Sequence, residues 1–225
     1  MLAAKYRVEV RDRDGKLVAV IEDDSKSFTQ NFIKLLIASH YNQNDVPTFT
    51  VYSVAGSPFY TGNTRSPYVG VPLQIFFIDF FGFLFNTSFV PGVWLGTSPC
   101  ANPALANGPC GSVVACCFGS PYPFSPYNFN LNALCYGITS CSPSLTEEGW
   151  TLTITNQWLN VSQSPVPVAS IALVSGVYIT SLASTGEPVQ NAFQPYAIIV
   201  DNLPSTVIVS PGWYITVSYT LYFPV

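Results

Sequence analysis

The chain has 225 residues and a formal charge of −4, with 9% of its residues charged against 48% hydrophobic and 15% aromatic. That length accommodates one large β-domain with an ample core, while the charge content falls far below the roughly 25% of an ordinary soluble domain. Beyond residue 50 the only cation is Arg65, which excludes a phosphate-binding stripe there; nucleic acid is not an expected partner.

Most of the charge sits at the start. Residues 5–11 alternate, with Tyr6, Val8 and Val10 on one face and Arg7, Glu9 and Arg11 on the other, which predicts a strand. Asp12-Arg13-Asp14-Gly15 reads as a tight turn, and residues 17–21 return as the second strand of a hairpin. The turn shares its opening residues with a Ca²⁺ loop but lacks the later ligands and the closing Glu. A helix follows. Ser27 and Gln30 have capping-box spacing, and Phe28, Phe32, Leu35 and Leu36 make one apolar stripe that fades near His40. Residues 1–45 are therefore read as a charged docking element preceding a domain over 46–225.

From residue 46 onward, Pro, Gly, Ser, Thr and Asn punctuate short runs of β-formers, the pattern of an antiparallel β-sandwich or barrel. Strands are predicted over 48–54, 150–156, 170–181, 196–201, 206–209 and 213–223. The last alternates most cleanly and follows Ser210-Pro211-Gly212-Trp213, which places Pro and Gly as a type II turn requires. The most apolar run, residues 73–85, contains Asp79 and Gly82 and is shorter than the about 20 residues of a membrane-spanning helix. It is read as buried strand, and membrane contact is not favoured.

Residues 91–145 have no clear periodicity and read as a long loop insertion. They hold all six cysteines: Cys100, Cys110, Cys116, Cys117, Cys135 and Cys141. Zinc sites use paired C-x₂₋₄-C knuckles, which are missing, so disulfides fit better, with the pairing left open. Asn86 and Asn160 begin N-glycosylation sequons. In the same insertion Tyr122, Phe124, Tyr127 and Phe129 alternate with Pro, Ser and Asn. They form a candidate contact loop for a neighbouring subunit, with loop packing and carbohydrate stacking as the alternatives.

Little in the chain can react. His40 is the sole histidine, and a helix-end cation explains it better than a catalytic base. No HExxH, P-loop, GxGxxG or G-x-S-x-G motif occurs. A glycosidase pair would have to come from Asp79, Glu147, Glu148, Glu187 and Asp201, of which Glu147, Glu148 and Asp201 read as turn or loop residues. No enzyme activity, cofactor or metal is expected. The opening residues carry no apolar segment of a secretion signal. A disulfide-bearing chain of this kind is expected to leave its cell inside a particle released by lysis, or to come from a hyperthermophile.

The C-terminal third resembles the ends of phage and archaeal-virus structural proteins. It carries Gly149-Trp150-Thr151-Leu152-Thr153-Ile154, then Gly176-Val177-Tyr178, then a Pro211-Gly212 turn into an alternating strand ending at Phe223. The opening hairpin with Asp12 to Lys16, followed by Ser25-Lys26-Ser27-Phe28 and a helix, is similar to the same group. The resemblance covers the two ends of the chain and not the middle. It implies a jelly-roll sandwich in a capsid, vertex, turret or tail-fibre subunit of a hot-spring archaeal virus. The expected partners are copies of this chain and other virion proteins, assembled in the host cytoplasm and residing in the virion. The alternative expectation is a module on a virion or cell surface that binds a host receptor or glycan.

Overall fold

The computed structural model describes residues 3–40, 49–54, 56, 58–61, 92–114, 134–147, 149–182 and 188–224. The strands are β1 (Ala3–Arg11), β2 (Leu17–Asp24), β3 (Phe49–Tyr52), β4 (Pro58–Thr61), β5 (Gly92–Ser98), β6 (Cys110–Val114), β7 (Leu134–Thr146), β8 (Gly149–Asn160), β9 (Val166–Leu182), β10 (Pro188–Val209) and β11 (Tyr214–Pro224). One α-helix, α1 (Gln30–His40), and one 3₁₀ turn (Pro103–Leu105) complete the described elements. Sheet A has the order β2-β1-β11-β8-β7, sheet B the order β10-β9-β5-β6, and β3-β4 form a separate ribbon. Every described pairing is antiparallel. The fold is a mainly β, antiparallel β-sandwich. Its described hairpins alternate between sheets as pairs: β1-β2 in A, β5-β6 in B, β7-β8 in A, β9-β10 in B.

The core lies between the sheets and follows the two-residue period of each strand. Tyr6, Val8 and Val10 face in from β1, Ile154 and Trp158 from β8, and Ile215, Val217, Tyr219 and Leu221 from β11. Sheet B answers with Val93, Leu95, Val168, Ile171, Leu173, Tyr196, Ile198 and Ile199. Ile198 and Ile199 are adjacent in sequence yet share this core, because the β9–β10 register shifts between Ala197 and Ile199. A bulge adds one residue and restores the alternation beyond it.

Within residues 3–40, β1 and α1 pack as part of the sandwich. β1 pairs along its whole length with β11, from Ala3–Tyr222 to Arg11–Tyr214, and so lies inside sheet A. Phe32 and Leu35 of α1 belong to the same core cluster as the sheets. The helix cap also differs from the capping box. Thr29 is the cap: its Oγ1 accepts the Phe32 N–H at 3.2 Å and its carbonyl accepts the Ile33 N–H. Ser27 and Phe28 are drawn instead onto the edge of β10, where the Ser27 carbonyl accepts the Val200 N–H and the Ile198 carbonyl accepts the Thr29 N–H. Strand pairing at a sheet edge outweighs a local side-chain cap here.

The reading of 91–145 as a loop is corrected over its described parts. β5 pairs with both β9 and β6, and β7 forms an edge of sheet A. The sequence signal was weak because residues 92–96 are buried on both faces and therefore do not alternate. Their outer face is covered: Trp94, Ala172, Val174, Ala197 and Val200 form a second small core with Cys100, against which Val54, Ala106 and Cys110 pack. Asp201 is corrected too. The Asp-Asn-Leu-Pro run is not a turn, because β10 continues through it and the unpaired stretch between Asn202 and Val207 accommodates Pro204, which has no N–H to offer.

Candidate functional site

The surface that distinguishes this chain is the outer face of sheet A. Its β1–β2 end is charged: Arg7 bonds Glu9 at 2.8 Å and Glu22 at 3.0 Å, Arg11 bonds Glu9 at 2.9 Å, and Lys5 approaches Asp24 at 3.8 Å. The adjoining strands β11, β8 and β7 contain no charged residue at all. In their place is a cross-strand hydroxyl ladder. Thr153 faces Thr220 at 3.0 Å, Thr155 faces Ser218 at 2.7 Å, and Gln157 donates to Thr216 at 3.0 Å. These follow from register, since Thr153–Thr220, Thr155–Ser218 and Gln157–Thr216 are direct partners across β8 and β11. Side chains that satisfy one another can lose water at low cost. On the opposite, inner side of the sheet, past the end of the core, Leu145 and Trp150, direct partners across β7 and β8, are 62% and 53% exposed.

Sheet B repeats the theme. β5, β6 and β9 carry no charge, and β10 carries only Asp201, which is buried. Asp201 accepts the Tyr219 hydroxyl at 3.0 Å and the Lys26 backbone N–H at 3.4 Å. Burial pushes its carboxyl above the ordinary range, against the lowering effect of the hydrogen bonds from Tyr219 and Lys26. Burial, then the Asp201 and Asp23 charges, lift the Tyr6 hydroxyl to about 12; burial and Asp201 raise Tyr219 well above its usual value. Tyr6 and Tyr219 are register partners with ring centroids 6.2 Å apart. One enclosed carboxylate against two phenols can hold a proton and tie the 25–26 segment to the sandwich. It presents no nucleophile and base to a substrate.

Asparagines fix the remaining geometry. Asn156, buried in sheet A, accepts the Val93 N–H of sheet B at 2.8 Å and so ties the sheets together. Gly92 is required there: its φ is +129° and a Cβ would lie 2.8 Å from Asn156 Oδ1. Asn202 clamps the Cys100 backbone, accepting its N–H at 2.7 Å and donating to its carbonyl at 2.8 Å. Asn31 does the same for Tyr52 and also donates to Asn107 at 3.2 Å. These amides copy the hydrogen bonds of a missing strand, and no sequence motif announces them.

Of the six cysteines, Cys100 and Cys110 form a disulfide, with Cα atoms 5.3 Å apart, which closes the loop over the second core. Cys135 and Cys141 lie on β7, while Cys116 and Cys117 fall outside the described residues. Asn86, Asp79, Glu148, Glu187 and the contact-loop residues Tyr122, Phe124, Tyr127 and Phe129 also fall outside them. Asn160 is described, and it is buried. Its amide donates to the carbonyls of Ser164 at 2.9 Å and Val209 at 2.7 Å, while its oxygen accepts from Ser162. Both amide hydrogens are engaged, and the Asn160 side chain braces the turn to Ser164 and the end of β10. His40 ends α1. Among the described residues no group of three or more His, Cys, Asp or Glu is placed to hold a metal ion, and no helix is long and apolar enough to cross a membrane.

No protein-family model, curated protein or solved structure matches this chain.

Proposed function

We propose that the chain is a structural subunit of a virion, a capsid, vertex, turret or tail-fibre component that assembles through the uncharged surfaces of its sandwich. The observation that carries this reading is the lack of charge across three adjacent strands of sheet A, together with the single, buried charge of sheet B. A free surface relies on charge for solubility, whereas a face of paired hydroxyls loses little when a neighbour covers it. The Cys100–Cys110 disulfide and the asparagine clamps support the reading, since they stiffen loops that a particle must hold in one shape. Its partners are copies of itself and other virion proteins, and its place is the extracellular particle.

Mass spectrometry of purified particles from the source culture tests this. The chain is expected in the particle fraction at constant stoichiometry across preparations, with a Cys100–Cys110 linked peptide under non-reducing digestion. Its recovery only from the cell fraction would refute the assignment. A second reading, a receptor- or glycan-binding module, draws on Trp150, half exposed at the end of β8 beyond the core. A glycan array separates the two: saturable binding lost in Trp150→Ala favours the second.

A further inference from the structure

β2 is an outer strand of sheet A, and no described strand covers its far side. The Ala4 carbonyl accepts the Ser25 N–H, and the β1–β2 register runs unbroken from Lys5–Asp24 to Val10–Ala19. Backbone groups alternate along a strand, so those of Asp23, Ile21 and Ala19 point to β1. Those of Asp24, Glu22 and Val20 point outward, where no described strand pairs with them. The side chains around them are unusual for an open edge, since Leu17, Val18 and Val20 are each more than 40% exposed. The charges are sorted by end: Lys16 precedes the apolar stretch, and Glu22, Asp23 and Asp24 close it.

We infer that β2 pairs antiparallel with β2 of a second copy, about a two-fold axis beside Val20. Charge selects this occupant and this direction. An antiparallel pair sets the Lys16 end of each copy against the acidic end of the other and brings the valines together, whereas a parallel pair sets acids against acids. The register shift at Val18 leaves Ala19 to Asp24 as the regular part of the edge, and the axis falls within it. The product is one continuous ten-stranded sheet, five strands from each copy, with both uncharged faces on the same side. The inference rests on the subunit reading above and gives it a specific contact.

Val20→Pro is the direct test. Its N–H points outward, so proline removes a donor from the open edge and none from the β1–β2 ladder. The wild-type full chain is expected to dimerise with concentration, gaining hydrogen-exchange protection at the Val20, Glu22 and Asp24 amides, and Val20→Pro is expected to stay monomeric. Lys16→Glu, a surface change that leaves the fold alone, is expected to weaken the dimer by about tenfold and to reverse its salt dependence. Association that persists in both variants, with the Val20, Glu22 and Asp24 amides of the associated wild-type chain still exchanging freely, overturns edge pairing and leaves the subunit reading to other surfaces. A wild-type chain that stays monomeric at every concentration also overturns it; absence from purified particles is the separate result that defeats the subunit reading.

Discussion

The two ends of sheet A share a backbone ladder and a core but differ on their outer face. Along β1 and at the acidic end of β2 the outward positions Lys5, Arg7, Glu9, Arg11, Glu22 and Asp24 form ion pairs. Across β11 and β8 the outward positions include Thr, Ser and Gln, three facing pairs of which are bonded to each other. The inner faces of both ends join one cluster, in which Val8 and Ile154 are alike buried. Sheet stability therefore does not require either surface chemistry. The difference lies in what each end meets: water and register-setting charges at one, and, on the present proposal, a neighbour at the other.

The strongest test of that shared interior is truncation beneath each end. Ile154→Ala is expected to cost about 2–5 kcal/mol and Val8→Ala roughly 1–3 kcal/mol, both in one cooperative denaturant transition. A separate early transition in Val8→Ala would restore the hairpin as an independent element. A smaller effect comes from the tie between sheets. Asn156→Ala strands the buried Val93 N–H and should lower stability by about 1–3 kcal/mol in the same assay.

Next is pH. Because the Asp201 carboxyl is raised in the folded state, the fold binds its proton more tightly than the unfolded chain does. Stability from this group is then full below the ordinary carboxylate range and declines as pH rises through the raised value. Glu9, lowered chiefly by its Arg11 hydrogen bond, works in the opposite sense and loses its contribution as pH falls. Melting curves from acid to neutral pH should flatten in Asp201→Asn, and an unchanged slope would discount the buried carboxyl. The smallest effect is expected from the charges themselves: Arg7→Ala should leave the melting temperature unchanged within error, because its partners are solvated. So should Thr153→Val combined with Thr220→Val, which removes both partners of one hydroxyl pair.

Alternation made much of this legible. β1, β8 and β11 are each buried on one face over much of their length, and their two-residue period shows in the sequence, as do the turns at Gly15 and Gly212, whose φ angles are +80° and +78°. β5 escaped notice because burial on both faces erases the period, and β7 because Ser, Pro and Gly weaken it at a sheet edge. The jelly-roll form came from resemblance alone, whereas the described strands change sheets hairpin by hairpin. The uncharged face could be anticipated from composition, but its position could not. Only the register reveals that Thr153, Thr155 and Gln157 meet Thr220, Ser218 and Thr216 on one side of one sheet.

Footprinting with a solvent-borne radical label, comparing assembled and dissociated protein, addresses the main proposition most directly. Tyr214 and Tyr222, on the same face of β11 as Thr216, Ser218 and Thr220, are expected to lose reactivity on assembly, while Lys16 of each copy moves from solvent to the paired edge. Equal labelling of those aromatics in both states would mean that the charge-free strands face water, and the account would be wrong.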